Sequence, residues 1–208
     1  MNTKAQVIPE SKDGRRKSVR FVQRYWGTLP KKPKFDFLHQ GCAPCSVASI
    51  LATFGYDISP YDVANLMMFD DGGNVSEFWS GKGFFAPGVK LGIEKLVKDS
   101  KYDLEIKDIL IDWEDQYALK EQITGLVKNG WMGLINVGKE NDSPMTFHTG
   151  RGHYLAVSSV SKSGEFYVIN PNEIGDNQID KTFPFEILVD NIRGRKSVVN
   201  FLMMRRKM

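Results

Sequence analysis

Residues 40–54 of this 208-residue chain read QGCAPCSVASILATF, and this stretch decides the fold. Its apolar residues recur at the spacing of one helical face: Ala43, Val47, Ile50, Leu51 and Phe54. That periodicity predicts a helix over residues 43–54, and Gly55 is typical of a helix end. The small residues Ala48 and Ala52 permit close packing on several sides. The stretch therefore predicts a helix at the centre of the protein.

Two cysteines, Cys42 and Cys45, stand at the start of this predicted helix. Backbone N–H groups without helical partners and the helix dipole favour negative charge there, which lowers the pKa of a thiol. Cys42 is therefore a candidate nucleophile, whereas a small buried hydrophobic residue is the alternative for both cysteines. One C-x-x-C pair does not supply the four ligands of a structural zinc site, so we expect no metal.

The remaining periodic segments divide into helices followed by strands. Helices are predicted from Ser59-Pro60, near residues 88–98 and over residues 115–129. Strands are predicted at residues 132–137, 153–160, 165–170 and 197–203. This order is typical of an α+β domain with an antiparallel sheet rather than of alternating βαβ units.

A histidine and an asparagine lie on two strands that a short polar turn joins. His153 opens the first strand, Asn170 closes the second, and residues 162–164 lie between the strands. Centring the turn between Lys162 and Ser163 puts Asn170 on the same face as His153, about 7–8 Å away on the diagonal. We expect the Asn170 oxygen to accept the Nδ1–H of His153 and to hold the ring. A satisfied strand-end histidine and a simple Asn-Pro turn are the alternatives.

Taken together, these residues give a nucleophile at a helix start and a base with its orienting group on a hairpin. The order Cys, His, Asn with this helix-then-sheet layout is what a papain-like cysteine hydrolase requires. His148 is a rival for the base, but it precedes no clean alternating strand. Arg151 is either a ligand for a substrate carboxylate or a solvated loop charge.

Two blocks of the chain resemble a known family. The segment GCAPCSVASILATFGYDISPYDVANLM and the later FHTGRGHYLAVSSVSKSGEFYVINPN resemble bacteriocin-processing-peptidase-like cysteine peptidases of bacteria, in their stand-alone branch. The glycine-rich stretch at residues 72–83 resembles the link between these blocks, and the likeness runs from about Val22 to Pro171. Ala43 and Cys45 stand where the family usually has Gly and Thr.

The resemblance implies a papain-like cysteine protease fold, with an N-terminal helical half whose central nucleophile helix packs on a C-terminal antiparallel sheet. It assigns Cys42 as nucleophile, His153 as general base and Asn170, where many members have Asp, as the orienting group. An upstream glutamine would complete the oxyanion hole. Gln23, in the segment Gln23-Arg24-Tyr25-Trp26, matches that glutamine, and Gln40 is the alternative.

The implied activity is thiol-dependent hydrolysis of a peptide or isopeptide amide, with no cofactor and with a peptide or protein as the partner. Transglutaminase-like acyl transfer or side-chain deamidation would use the same acyl-enzyme. A catalytically inactive module that binds peptide is a third hypothesis, from a different functional class.

Charge is spread unevenly along the chain. The net charge is +3, yet residues 1–34 carry +8, residues 35–192 carry −11 and residues 193–208 carry +6. Basic ends suit an anionic partner, but no nucleic-acid motif accompanies them, so we expect no specific nucleic acid. Solvated termini are the alternative.

The N-terminus is polar and lacks an apolar targeting segment. We expect residues 1–18 to be a flexible segment that is dispensable for folding, and residues 19–208 to form a single hydrolase domain. No transmembrane segment is predicted. The chain is therefore expected in the cytoplasm, and release by a signal-independent route stays open.

Overall fold

The structure is a computed structural model that describes residues 5–29, 35–70, 72–76, 84, 86–99, 101–138, 152–172, 181–193 and 200–207. Its strands are β1 Ala5–Ile8, β2 Ser18–Phe21, β3 Thr28–Leu29, β4 Phe35–Asp36, β5 Leu104–Leu110, β6 Met132–Val137, β7 His153–Val160, β8 Phe166–Ile169, β9 Thr182–Phe183 and β10 Asn200–Arg206. Its α-helices are α1 Phe37–Gln40, α2 Cys42–Thr53, α3 Pro60–Met68, α4 Ala86–Lys98, α5 Gln116–Lys128 and α6 Phe185–Arg193, and Gln23–Tyr25 forms one 3-10 turn.

Six strands form one sheet in the order β5-β10-β6-β7-β8-β9, and all neighbouring strands are antiparallel. Helix α2 packs on β7 and belongs to a core that includes α3 and α4. The predicted α+β class, with a central helix on an antiparallel sheet, is confirmed. Helices α5 and α6 contribute a second core, which packs on β6 and β7 through other residues of those strands.

Helix α2 is buried along most of its length, and this burial is possible because its polar side chains form hydrogen bonds with backbone groups. The Ser49 hydroxyl donates to the Cys45 carbonyl at 2.7 Å and accepts the Phe21 N–H at 3.0 Å. One turn later, Thr53 accepts the Val19 N–H at 2.9 Å. Helix α2 is therefore fastened to β2 by hydroxyl groups as well as by apolar contacts.

Helix α3 starts where its sequence predicts. The Ser59 hydroxyl accepts the Asp62 N–H, and the Asp62 carboxylate accepts the Ser59 N–H at 2.9 Å, so a reciprocal capping box forms ahead of Pro60. Such a box satisfies two of the donors that a helix start leaves open. None of the helices that the structure describes is long and apolar enough to cross a membrane.

The N-terminal residues contact the body of the protein. Strand β1 pairs with β2, and Ile8 is 4% exposed. Asp13 accepts a hydrogen bond from the Tyr167 hydroxyl at 3.0 Å, and its carbonyl accepts the Lys162 N–H. The expectation of a flexible segment over residues 1–18 disagrees with these contacts of residues 5–18. The segment has no periodic apolar face, but single side chains and backbone groups hold it on the β7–β8 hairpin.

We therefore expect a truncated chain that begins at Ser18 to have a lower melting temperature than the full chain. Burial of one large aliphatic side chain together with the lost hydrogen bonds corresponds to about 3 kcal/mol, or about 10 °C for a chain of this size. A matched pair of variants inside β1 separates the effect of side-chain burial from the other effects of truncation. Ile8→Ala should lower the melting temperature, whereas Val7→Ala, at a position 48% exposed, should not. A truncated chain that melts within two degrees of the full chain would contradict this.

Candidate active site

Cys42 is the first residue of α2 and is partly exposed. The preceding Gly41 packs on α1, where an added Cβ would lie 2.6 Å from the Phe37 carbonyl oxygen. That distance is too short for any side chain, so the sharp junction between α1 and α2 requires glycine. A cysteine placed here lies in the first turn of a helix, where the backbone dipole favours a thiolate.

An aromatic cluster packs on α1, the short helix that precedes Cys42. The rings of Phe37 and Tyr61 lie 5.1 Å apart edge to face, and those of Trp26 and Tyr61 lie 4.9 Å apart. The Tyr61 hydroxyl also donates to the Trp26 carbonyl. Phe84 contributes to the same core through Phe35, with the two ring centroids 5.6 Å apart.

Ser46 fixes the start of α2 beside the start of β7. It lies one helical turn after Cys42, and its hydroxyl donates to the Tyr154 carbonyl at 3.0 Å. Residues four apart share a helix face, so the Cys42 end of this face adjoins the strand end that carries His153. Sequence reasoning did not single out Ser46, although its i+4 spacing from Cys42 was available as a signal.

His153 and Asn170 are in direct contact. The His153 Nε2 lies 2.8 Å from the Asn170 Oδ1, and the two side chains are 1% and 6% exposed at the residue level. The predicted register holds next to the site, where Ala156 pairs with Ile169. Nearer the turn the register shifts by one residue, with an irregularity at Ser158. The pairs nearer the turn are symmetric about Ser163, so the turn is centred half a residue later than the point between Lys162 and Ser163 that the sequence suggested.

The tautomer of His153 follows from a second contact of Asn170. The Asn172 backbone N–H donates to the Asn170 Oδ1 at 3.0 Å. An N–H group can only donate, so this atom is the amide oxygen, and the oxygen in turn can only accept. The proton of the neutral His153 ring is therefore on Nε2, and Nδ1 is the acceptor. The sequence-based assignment of the contact to Nδ1–H was wrong.

Gln23 joins the two sides of the candidate site. Its backbone N–H donates to the Pro171 carbonyl at 2.8 Å, next to Asn170. Its side-chain Nε2 donates to the Leu38 carbonyl of α1 at 2.7 Å. The side chain is buried, and its Oε1 has no hydrogen-bond partner within the described part of the chain. One of the two Nε2 protons is left for another acceptor.

Gln40 faces a different partner. Its Oε1 accepts the Asp36 N–H at 3.0 Å, so this side chain turns back onto the start of α1. Gln40 is close to Cys42 in sequence, but this hydrogen bond commits its carbonyl to helix α1. Gln23 contacts both α1 and Pro171, next to Asn170, whereas this bond of Gln40 stays within the start of α1.

The two cysteines have different surroundings. Cys45 is fully buried, and burial raises the pKa of its thiol well above the ordinary value, with a further contribution from the charge on Cys42. A thiol in that state is a poor source of thiolate. Cys42, at the helix start and partly exposed, lies where a thiolate is favoured.

Two sequence-based candidates lie outside the described residues. These are His148, the rival for the base, and Arg151, the possible ligand for a substrate carboxylate. Within the ranges that the structure does describe, no three His, Cys, Asp or Glu side chains are grouped as metal ligands would be.

Comparison with known proteins gives a consistent family and fold. The Peptidase_C39 like family matches residues 18–195. Among solved structures, the chain is similar to a protein described as a C39-like peptidase from Bacillus anthracis, at 15% identity and a TM-score of 0.54, with 98% of each chain covered. It is also similar to the peptidase domain of Streptococcus ComA, a bifunctional ABC transporter of a quorum-sensing pathway, at 14% identity and a TM-score of 0.47, covering 88% of this chain and 99% of that one. No curated protein matches significantly.

Proposed function

Because this chain belongs to the Peptidase_C39 like family, whose members are papain-like cysteine peptidases, we propose that it hydrolyses a peptide or isopeptide amide through Cys42, His153 and Asn170. The observation that carries the proposal is the hydrogen bond between the His153 Nε2 and the Asn170 Oδ1. This bond lies at the end of β7 that adjoins the first turns of α2. The substrate is a segment of a peptide or protein.

The tautomer of His153 gives each ring nitrogen a role. With the proton on Nε2 held by Asn170, Nδ1 takes the proton of the Cys42 thiol, and the sulfur attacks the substrate carbonyl. The protonated ring then donates from Nδ1 to the leaving amine, and a thioester forms between Cys42 and the acyl group. Water, deprotonated by Nδ1, attacks this thioester, releases the acid and restores the thiol.

Asn170 acts through His153 rather than on the substrate. Its oxygen accepts from both the imidazole and the Asn172 N–H, so it is itself fixed by the backbone. A fixed acceptor keeps the ring in one orientation and one tautomer, as the third member of a catalytic triad does.

The negatively charged oxygen of the tetrahedral intermediate requires hydrogen-bond donors that converge on it. We assign this role to the Gln23 side chain together with the backbone N–H of Cys42. Support for Gln23 comes from its two anchors, which fix it against the Pro171 carbonyl and against α1.

Gln23→Ala is expected to lower kcat by about 10²- to 10³-fold, the usual loss for one oxyanion donor, with little change in KM. Gln40→Ala should cost less than about fivefold in kcat because the Gln40 Oε1 bonds to the backbone at the start of α1 and the proposed mechanism gives Gln40 no part in the reaction. Steady-state kinetics on one peptide substrate, with melting temperatures as the folding control, measure both. The reverse ranking of the two glutamines would move the oxyanion assignment to Gln40.

Hydrolysis is tested by labelling and by the fate of the acyl group. A peptide carrying an electrophilic warhead should modify one cysteine, and peptide mapping by mass spectrometry should identify Cys42. Turnover in H₂¹⁸O should place the heavy oxygen in the new carboxylate. Incorporation of an added primary amine instead would indicate acyl transfer, and release of ammonia from glutamine would indicate deamidation. A chain that binds peptides but shows no site-selective labelling would be an inactive binding module.

A further inference from the structure

The two basic ends of the chain meet at one cavity, and this cavity takes no part in the proposed peptidase reaction. The cavity measures about 230 Å³. Its basic lining comes from both ends, namely Arg16, Lys17, Arg205 and Arg206, and its other walls include Thr53 and Asn129. Thr53 ends α2, whereas Cys42 begins it, and a helix of that length separates them by about 17 Å.

Arg16 is a desolvated cation in this lining. Burial lowers the pKa of its guanidinium below the ordinary value. Its side chain donates to the Val127 carbonyl at 2.8 Å and to the Gly130 carbonyl at 3.1 Å, at the end of α5. These acceptors carry no formal charge, and within the described ranges no carboxylate pairs with Arg16. An anion in the cavity would supply the missing countercharge.

Arg205 contributes a buried donor without an acceptor. One terminal nitrogen donates to the Glu105 carboxylate at 2.6 Å, and the guanidinium lies over the Trp131 ring at 4.8 Å. Its Nε, however, is buried and has no hydrogen-bond partner in the part of the chain that the structure describes. A buried N–H without a partner destabilises the folded state, so the Arg205 guanidinium in this lining is incompletely satisfied.

Lys17 and Arg206 complete the lining from the solvent side. Both residues are exposed, and the Arg206 guanidinium donates to the Phe54 carbonyl at 3.3 Å. Four basic residues therefore line one small space, and among the residues that the structure describes Glu105 is the carboxylate paired with them, at Arg205. A monoanion would leave most of this charge unbalanced, whereas a dianion with several acceptor oxygens would balance more of it.

We propose that this cavity, between the end of α2 and strand β10, binds a phosphate group, either as inorganic phosphate or as the terminal group of a small phosphate ester. Three guanidinium groups offer planar forks of donors, and Lys17 adds a point charge at the entrance. Arg16 also belongs to the N-terminal segment that contacts the β7–β8 hairpin, since its N–H donates to the Ser159 hydroxyl. An occupied cavity therefore holds that segment in place and stabilises the folded chain.

Isothermal titration at constant ionic strength tests the proposal with two probes, inorganic phosphate and glycerol 3-phosphate. The full chain should bind at least one of them saturably at a single site, and the same probe should raise the melting temperature. Lys17→Gln and Arg206→Gln should each weaken binding about tenfold, the effect of one charge-assisted hydrogen bond. Lys98→Gln, which removes an exposed charge outside the cavity, should bind as the unaltered chain does.

The relative affinities of the two probes distinguish the source of the phosphate, and either order supports the proposal. Tighter binding of inorganic phosphate indicates a free anion, and tighter binding of glycerol 3-phosphate indicates an ester. Absence of saturable binding by both probes would overturn it. Equal affinities in Lys17→Gln, Arg206→Gln and Lys98→Gln, or acetate binding as tightly as phosphate, would also overturn it. None of these outcomes depends on peptidase activity.

Discussion

Cys42→Ser is expected to abolish turnover, by about four orders of magnitude or more, and to remove labelling by an electrophilic peptide. The hydroxyl replaces a thiol whose sulfur forms the thioester, and a serine hydroxyl is far harder to ionise in a site built for thiolate. The helix and its packing remain, because Gly41 and the Ser46 contact are untouched. Retention of the melting temperature therefore separates lost chemistry from lost fold.

Cys45→Thr is the matched control one turn further along α2. It should keep most of the activity and most of the labelling. The introduced hydroxyl can donate to the Gly41 carbonyl four residues back, as Ser49 does to Cys45 at 2.7 Å. We therefore expect little change in stability. An essential Cys45 with a dispensable Cys42 would reverse the assignment, and loss of activity in both variants would point to a redox pair that requires a reductant.

His153→Ala is the second change with a large expected effect, a loss of about 10⁴-fold in kcat, because the proposed mechanism requires His153 to take the thiol proton. Asn170→Ala should retain more activity, with a loss of about 10- to 100-fold in kcat, since the base remains but its ring is no longer held. Asn170→Asp should recover part of that loss, because a carboxylate also accepts from Nε2–H. Pre-steady-state acylation rates measured beside melting temperatures distinguish these roles from simple destabilisation.

The other two histidines serve as controls for this assignment. His39 is exposed and contacts the Asp36 carboxylate at 2.8 Å, so His39→Ala should leave kcat within about threefold. His148→Ala should likewise be tolerated. Inactivation by His148→Ala together with activity in His153→Ala would transfer the role of base to His148.

Local patterns predicted the elements that carry the candidate site. The apolar spacing after Cys42 predicted α2, and the Ser59-Pro60-Tyr61-Asp62 signature predicted the start of α3, since capping depends on neighbouring residues alone. Strand parity predicted that His153 and Asn170 share a face. Parity did not show which ring nitrogen of His153 carries the proton. That assignment depends on the Asn172 N–H, a turn contact that the pairing of the two strands does not include.

Other elements were missed for two different reasons. The signal for α6 was present, with Phe185, Leu188, Val189 and Ile192 at helical spacing, and it was overlooked. The docking of the N-terminal segment gave no such signal, because it depends on isolated contacts such as Asp13 with Tyr167. Contacts between residues that far apart in sequence have no local periodicity to reveal them, and the same holds for the packing of α5 and α6 in a second core.

The hydroxyls of α2 have a consequence for the solution behaviour of the protein. Val19 and Phe21 donate their N–H groups to Thr53 and Ser49, on the side of β2 that does not pair with β1. A strand edge with unsatisfied N–H groups is a template on which another chain can add a strand and begin to aggregate. Helix α2 therefore covers one edge of this two-stranded ribbon and protects it against self-association, and removing the Ser49 or Thr53 hydroxyl would leave the Phe21 or Val19 N–H without its acceptor.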